Sequence, residues 1–248
     1  MYKFVDLHCH ILHNLDDGAR SEHMMQKMLD MAYEDGTRVI CFTPHFKIYE
    51  FDSEMDMYTH TQRTNRRFAS VVSYASEKYP DLQLFLGNEI MYHSDIYDSL
   101  HSKKCNFLGT SSYVLVEFIP DCSAFEIKNI VSQLLRQGIK PIIAHIERYS
   151  AFIKNFSLLY ELKESGVLFQ VNAGSITKFK FGKIASFLKN AFKKKLVDIV
   201  ASDAHNDSSL TPQLSKAFEH ISKRYNIGYA QKLFCDNPLA IITDKKVF

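Results

Sequence analysis

Seven short apolar runs punctuate the chain, at residues 3–8, 38–43, 82–88, 112–118, 140–145, 167–173 and 197–202. Several are hydrophobic almost without interruption, as strands buried on both faces of a parallel sheet are. Between them the apolar positions switch to helical spacing, which predicts helices near 22–35, 54–79, 124–137, 151–165, 178–195 and 212–233. Ser21 is placed to cap the first helix and Gly36 to end it. Met24, Met28, Leu29, Met31 and Ala32 share one face of that helix, where methionine serves as core filling. Pro44, Pro80, Pro120, Pro141, Pro212 and Pro238 all fall at junctions. Strands alternating with helices through right-handed crossovers build a parallel sheet. The pattern predicts an α/β fold, a distorted (β/α)7 barrel of TIM type, as one domain over residues 1–248. In such barrels the active site lies at the C-terminal ends of the strands.

Composition narrows the picture. With 248 residues, 46% of them hydrophobic, the chain can bury one large core. A net charge of +2, with basic and acidic residues well mixed, gives no nucleic-acid footprint. The basic run Lys193-Lys194-Lys195 reads as a solvated helix end. Cys9, Cys41, Cys105, Cys122 and Cys235 are widely spaced and odd in number, which argues against a disulfide framework. A reducing cytoplasm is the expected compartment. The N-terminus enters a strand without a signal-peptide pattern. No apolar stretch approaches the roughly 20 residues that span a bilayer.

The chemistry sits where the apolar runs end. His8 and His10 follow the first, His45 the second, Glu89 the third and Glu117 the fourth. His145 follows the fifth, and Asp203 and His205 follow the last; Asp16-Asp17 lies in the loop after the first. His8 and His10 are two apart, so they share a strand face and can hold one divalent ion. Asp203 can complete that site, while His205 points to a neighbouring one. A mixed imidazole and carboxylate set suits manganese, iron or zinc, whereas calcium and magnesium favour all-oxygen sites. Nine candidate ligands are too many for one ion, so two or three ions sharing carboxylates are expected. Glu89 is the candidate bridge, setting ions about 3.5–4 Å apart as in two-metal hydrolases.

These motifs carry a resemblance. Asp6-Leu7-His8-Cys9-His10, Asp16-Asp17-Gly18, Thr43-Pro44-His45, Gly87-Asn88-Glu89, Ala144-His145-Ile146-Glu147-Arg148-Tyr149 and Ser202-Asp203-Ala204-His205-Asn206 resemble the ordered motifs of the PHP (polymerase and histidinol phosphatase) superfamily. Within it, the chain is most similar to the bacterial capsular and exopolysaccharide tyrosine phosphatases. The resemblance implies a trinuclear site. His8, His10, Glu89 and Asp203 would hold one ion, Glu89, Glu117 and His145 the second, and Asp17, His45 and His205 the third. Asp17 is preferred over Asp16. Manganese is the expected metal, with iron and zinc as alternatives, and the resemblance implies a phosphotyrosine protein, a bacterial tyrosine kinase of polysaccharide export, as substrate. The chain departs from the pattern at Asn206-Asp207-Ser208-Ser209-Leu210, where relatives tend to carry an arginine. That departure bears on substrate affinity, not on the metal ligands.

The expected reaction is attack on a phosphomonoester by a metal-bridging hydroxide. Arg148, Asp203 and His205 form the catalytic set. Arg148 grips phosphate oxygens through its planar fork, with Arg20 as a second candidate. An ion pair with a ligand carboxylate is the alternative role for Arg148. Aromatics of the loop Phe46-Lys47-Ile48-Tyr49-Glu50-Phe51 could line a pocket for the tyrosyl ring or cover the barrel rim. A cysteine-based phosphatase needs an arginine six residues after its cysteine, but those positions hold Leu15, Lys47, Ser111, Lys128 and Ile241. Cys9 is expected to face away from its histidine neighbours, into packing. His13, His23, His60, His93, His101 and His220 read as surface or packing residues. The alternatives are a small-molecule phosphatase such as a histidinol-phosphatase and a non-catalytic metal-stabilised domain.

Overall fold

The computed structural model describes residues 3–247; residues 1, 2 and 248 of the predicted domain lie outside them. The strands are β1 (Phe4–Asp6), β2 (Thr37–Phe42), β3 (His45–Phe46), β4 (Gln83–Leu86), β5 (Glu89–Met91), β6 (Tyr113–Glu117), β7 (Lys140–Ile143), β8 (Leu168–Asn172) and β9 (Ile199–Ala201). All pair in parallel, in the orders β1-β2-β4 and β3-β5-β6-β7-β8-β9. Thr43-Pro44 separates β2 from β3, and Gly87-Asn88 separates β4 from β5. Each pair therefore occupies one position in the ring, so the nine short strands form the seven predicted strand positions.

The ring closes between its first and last strands. Cys9 bridges Ala204 in parallel. Asp203 N–H donates to the His8 carbonyl at 2.8 Å, and His10 N–H to the Ala204 carbonyl at 2.8 Å. The barrel is thus pinned shut at the residues that carry its ligand candidates.

Strand alternation sorts the core. Val39, Cys41, Tyr113, Leu115, Ile142, Leu168 and Ile199 share one buried cluster inside the ring. Val114, Val116, Ile143, Phe169, Val171 and Val200, one residue out of phase, pack under the surrounding helices. Continuing the inward phase along each strand reaches His45, Glu89, Glu117, Gln170, Asn172 and Asp203.

The helices that cover the sheet are α1 (Glu22–Glu34), α2 (Glu54–Lys78), α3 (Ile96–His101), α4 (Ala124–Arg136), α5 (Ser150–Lys154) and α6 (Ser157–Glu164). After β8 come α7 (Ala173–Lys178), α8 (Lys183–Lys193), α9 (Ser215–Arg224), α10 (Ile227–Gln231) and α11 (Asn237–Ile242). Ser21 caps α1 by accepting from Met24 N–H, and Ser123 with Glu126 forms a reciprocal box at α4. Two predicted helices are broken and a third starts late. The 151–165 helix is split at Asn155-Phe156, and the 178–195 helix begins at Lys183 after a separate α7. The 212–233 helix divides at Tyr225-Asn226 into α9 and α10, followed by a π-helical turn over Lys232–Asp236. Periodicity runs through these breaks because the apolar face stays in phase while the backbone turns. Helix α11 was not predicted; its Ile241 and Ile242 plug the barrel interior. Among the described residues no helix is long and apolar enough to cross a membrane.

Candidate metal centre

At the C-terminal mouth of the barrel the structure brings together His8, His10, Asp17, His45, Glu89, Glu117, His145, Asp203 and His205. Glu89 sits in the middle. Its Oε2 lies 3.2 Å from His8 Nε2, 3.2 Å from His10 Nε2 and 3.0 Å from His45 Nδ1, and its Oε1 lies 2.7 Å from His145 Nε2. Asp203 Oδ1 is 3.2 Å from His8 Nε2. Asp17 Oδ1 stands 3.5 Å from His45 Nε2 and 3.6 Å from His205 Nε2.

Three sets place one ligand atom of each member within 4.8 Å of the others: His8, His10, Glu89 and Asp203; His10, Asp17, His45 and His205; and His45, Glu89 and Glu117. The first is the set the resemblance implied. The other two differ from it in detail. His45 joins both because its ring nitrogens face opposite ways, Nδ1 toward Glu89 and Glu117 and Nε2 toward Asp17. His145 stays outside the tight sets, 3.9 Å from Glu117 Oε2.

The donor chemistry fits divalent cations. Asp203 Oδ1, Glu117 Oε1 and His45 Nδ1 are buried and lack hydrogen-bond partners among the described residues, although each faces an opposite group at close range. Buried polar atoms are normally hydrogen-bonded. Lone pairs that converge on a shared point, and not on one another's hydrogens, are what a cation requires. Without a cation the rings of His8, His10 and His45 hold protons more tightly instead. Burial opposes charge on His8, but Glu89 and Asp203 override it and hold its pKa up at about 10. At His45, burial is overridden by Glu117 and Glu89, which hold it at about 9. Burial likewise works against the charges of Glu89 and Asp203, yet the facing histidines depress both well below the usual carboxylate range. At His205, burial and the neighbouring His10 lower the pKa.

Backbone geometry helps aim the ligands. His145 has φ 32° and Asp203 φ 52°, in the left-handed region that side chains other than glycine rarely enter. Such residues cluster at functional sites, where surrounding bonds hold them. At His145 the turn breaks the inward alternation of β7, which Ala144 had occupied, and points the next side chain inward as well. Gly18 lies against the first histidine pair: a Cβ there would meet the His10 carbonyl oxygen at 2.1 Å.

Asp16 and Asp17 have different surroundings. Asp16 Oδ2 accepts from His10 Nδ1 at 2.7 Å and from the His45 backbone N–H at 3.0 Å, and its Oδ1 accepts from Gly18 N–H. Burial would raise the Asp16 pKa, but His10 drives it well below the ordinary value. The Asp17 side chain is 71% exposed and turns one oxygen toward His45 and His205.

Arg148 ion-pairs with Asp203 Oδ2 while its side chain stays 47% exposed at the mouth. Arg20 is exposed on the loop before α1. A cavity of about 490 Å³ opens beside the cluster, lined by Asp16, Asp17, His45, Lys47, Phe51, His60 and Arg63 among others, but not by Arg20. Of the loop aromatics, Phe46 is core, Phe51 lines this cavity and Tyr49 faces solvent. Lys47 follows His45 by two residues and reaches the same cavity. Burial works against its charge, but Glu50 and Glu117 raise its pKa. The sequence reading missed Lys47 as a site residue and set His60 aside as surface or packing. In the 206–210 loop, Asn206 Oδ1 accepts from the N–H groups of Ser208, Ser209 and Leu210, and Asp207 pairs with Lys27 at 2.6 Å. Cys9 is fully buried with its thiol toward the Cys41 carbonyl, and burial raises its pKa well above the ordinary value.

Gln170 and Asn172 were also missed. They are inward-facing polar residues on the otherwise apolar strand Leu168-Phe169-Gln170-Val171-Asn172, and that interruption was the available signal. Gln170 Oε1 meets His8 Nδ1 at 3.2 Å, and Asn172 Nδ2 donates to Asp203 Oδ2 at 2.6 Å.

A closed parallel barrel with a buried imidazole and carboxylate cluster at its C-terminal mouth defines a candidate metal-assisted hydrolase. The family model for capsular polysaccharide synthesis, CpsB/CapC, matches residues 4–243, and the chain belongs to that family. It is 35% identical to the tyrosine-protein phosphatase CpsB of Streptococcus pneumoniae, over 98% of this chain and 100% of that one. Among solved structures, that reported for YwqE from Bacillus subtilis and CpsB from Streptococcus pneumoniae, described as metal-dependent tyrosine phosphatases, superposes with a TM-score of 0.83. It shares 26% identity and covers 98% of this chain and 96% of that one. The histidinol phosphate phosphatase of Lactococcus lactis superposes with a TM-score of 0.56 at 15% identity, covering 92% and 94%; that likeness is one of fold alone.

Proposed function

We propose that this chain is a metal-dependent protein-tyrosine phosphatase acting on a bacterial tyrosine kinase of capsule or exopolysaccharide synthesis, in the cytoplasm. Residues 1–248 act as one phosphatase domain. The observation that carries the reading is the nine-residue cluster around Glu89, on a chain that matches named tyrosine phosphatases over nearly its whole length. Two or three divalent ions are the cofactor, manganese first, with iron or zinc as alternatives. His8, His10, Glu89 and Asp203 hold one; His45, Glu89 and Glu117, joined by His145, hold another; Asp17, His205 and their histidine neighbours hold the third. Asp17 is assigned as the ligand because Asp16 is already committed to three hydrogen bonds. Bound divalent ions would lower the pKa of a coordinated water from 15.7 toward roughly 7 and neutralise charge on the phosphoryl oxygens.

The chain's own groups do the rest. Glu89 keeps four imidazoles facing one volume. Asp16 holds the His10 ring with Nε2 inward. Arg148 shares its guanidinium between Asp203 and the open mouth, where its free N–H groups can bind phosphate oxygens. Lys47 presents a second cation from the cavity wall, and Phe51 offers a face for the tyrosyl ring. Tyrosinate, with a parent pKa of about 10, leaves without strong need of an acid.

The test is a comparison of kcat/KM for a phosphotyrosine peptide, the matching phosphoserine peptide and histidinol phosphate, each with Mn²⁺. The reading expects the phosphotyrosine peptide to lead. A lead for histidinol phosphate would replace it with the small-molecule reading.

A further inference from the structure

The two buried amides of β8 stand directly behind the cluster, and their orientations are not free. Gln170 Oε1 lies 2.6 Å from the backbone nitrogen of His145. A main-chain N–H can only donate, so the oxygen end of the amide must face it. The same oxygen is 3.2 Å from His8 Nδ1. An amide oxygen can only accept, so Nδ1 carries the hydrogen. In the neutral ring Nε2 then turns its lone pair toward Glu89 and Asp203.

The nitrogen end of Gln170 donates to Asn172 Oδ1 at 2.7 Å, which fixes the second amide in turn. Asn172 Nδ2 is thereby aimed at Asp203 Oδ2, 2.6 Å away. Arg148 binds that same oxygen. Oδ2 is thus engaged from two sides, and Oδ1 is left to face the cluster without a hydrogen bond among the described residues. One backbone N–H therefore sets, through two amides, a ligand candidate after β1 and another after β9. Gln170 is fully buried and Asn172 nearly so, so water cannot compete for these bonds.

We propose that Gln170 and Asn172 are positioning residues, an oriented amide relay that selects the His8 tautomer and presents Asp203 Oδ1 for a divalent ion. The proposal rests on the metal-centre reading above. It also distinguishes the two histidines of the first motif. His10 is backed by the Asp16 carboxylate, which makes its ring a stronger donor, whereas His8 is backed by a neutral amide.

The experiment reads metal binding and tautomer, not turnover. In the ¹⁵N-histidine-labelled chain loaded with Zn²⁺, long-range ¹H–¹⁵N correlation should show His8 protonated at Nδ1, its signal assigned by its loss in His8→Ala. Protonation at Nε2 overturns the proposal, and this arm needs no variant of the relay. Gln170→Met and Asn172→Leu, near in size but unable to relay, should each weaken Mn²⁺ binding measured by calorimetry about 10–100-fold. Because the amides act in series, the double variant should lose no more than the worse single one. Penalties that add mean two independent packing roles and overturn the relay, as do single variants that bind Mn²⁺ like the parent. If a variant fails to fold, the tautomer of the parent still decides. A chain with the expected tautomer and metal affinity but no phosphatase activity would count against the functional reading alone.

Discussion

Metal uptake by this chain should be coupled to proton release, and the size of the effect follows from the cluster. In the metal-free protein Glu89 and Asp203 overcome burial to hold His8 at about 10, and Glu117 and Glu89 do the same for His45 at about 9. A divalent ion needs both rings deprotonated. At pH 7 the competing protons weaken binding by about 10³-fold at His8 and about 10²-fold at His45, from the gap between each pKa and the pH. Affinity for each ion should therefore rise about tenfold per pH unit for every such ring it engages. The stability of the metal-free chain should move the opposite way. A folded-state pKa above the unfolded value of about 6.5 contributes stability that is complete below that pH and is lost as pH rises through about 9 to 10. The assay is calorimetric titration with Mn²⁺ at pH 7 in buffers of different ionisation enthalpy, alongside melting of the EDTA-treated chain from pH 6.5 upward. The expected results are release of two or more protons, since the His10 ring is held well above its ordinary value as well, and a falling metal-free Tm. Proton release near zero with a flat melting profile would refute the reasoning.

Other consequences are narrower. Gly18→Ala should cost about 1–3 kcal/mol of stability through overpacking. It should also weaken metal binding, since the new Cβ collides with the His10 carbonyl and displaces the loop that carries Asp17; unchanged thermal melting would contradict this. Arg148→Ala should lower kcat/KM on a phosphotyrosine peptide by about 10–100-fold, the worth of a lost charge-assisted hydrogen bond, with the change mainly in KM. Parental kinetics would leave Arg148 as nothing more than the partner of Asp203. Cys9→Ala should keep metal-dependent activity and lose about 1 kcal/mol or less on denaturant unfolding, because its thiol only packs. Abolished turnover with intact metal binding would reopen cysteine chemistry.

Much of the architecture was legible because burial on both faces leaves a strong mark. Tyr113-Val114-Leu115-Val116 can be little else than a buried strand, and a ligand-type residue at the end of six of the seven such runs locates the barrel mouth. The helix breaks at Asn155-Phe156 and Tyr225-Asn226 were hidden, because an apolar face can stay in phase across a turn. Ligand grouping was less readable than ligand identity. Which ring nitrogen of His45 faces Glu117 depends on rotation about its side chain, and the inward aim of His145 depends on a left-handed backbone angle. The separation of Asp16 from Asp17 is likewise three-dimensional, since the backbone N–H groups of Gly18 and His45 claim one carboxylate and leave the other. Gln170 and Asn172 could have been found by asking why a buried strand interrupts its apolar inward phase twice.

The central claim is that the cluster around Glu89 holds divalent ions that make phosphotyrosine hydrolysis feasible. Its most direct test is phosphate release from a phosphotyrosine peptide by the chain stripped with EDTA and then titrated with Mn²⁺, with metal per chain measured on the same samples and His8→Ala as control. The account predicts no turnover in the stripped chain, recovery that tracks bound manganese, and failure of His8→Ala to recover. Turnover that survives stripping, or full recovery in His8→Ala, would contradict it.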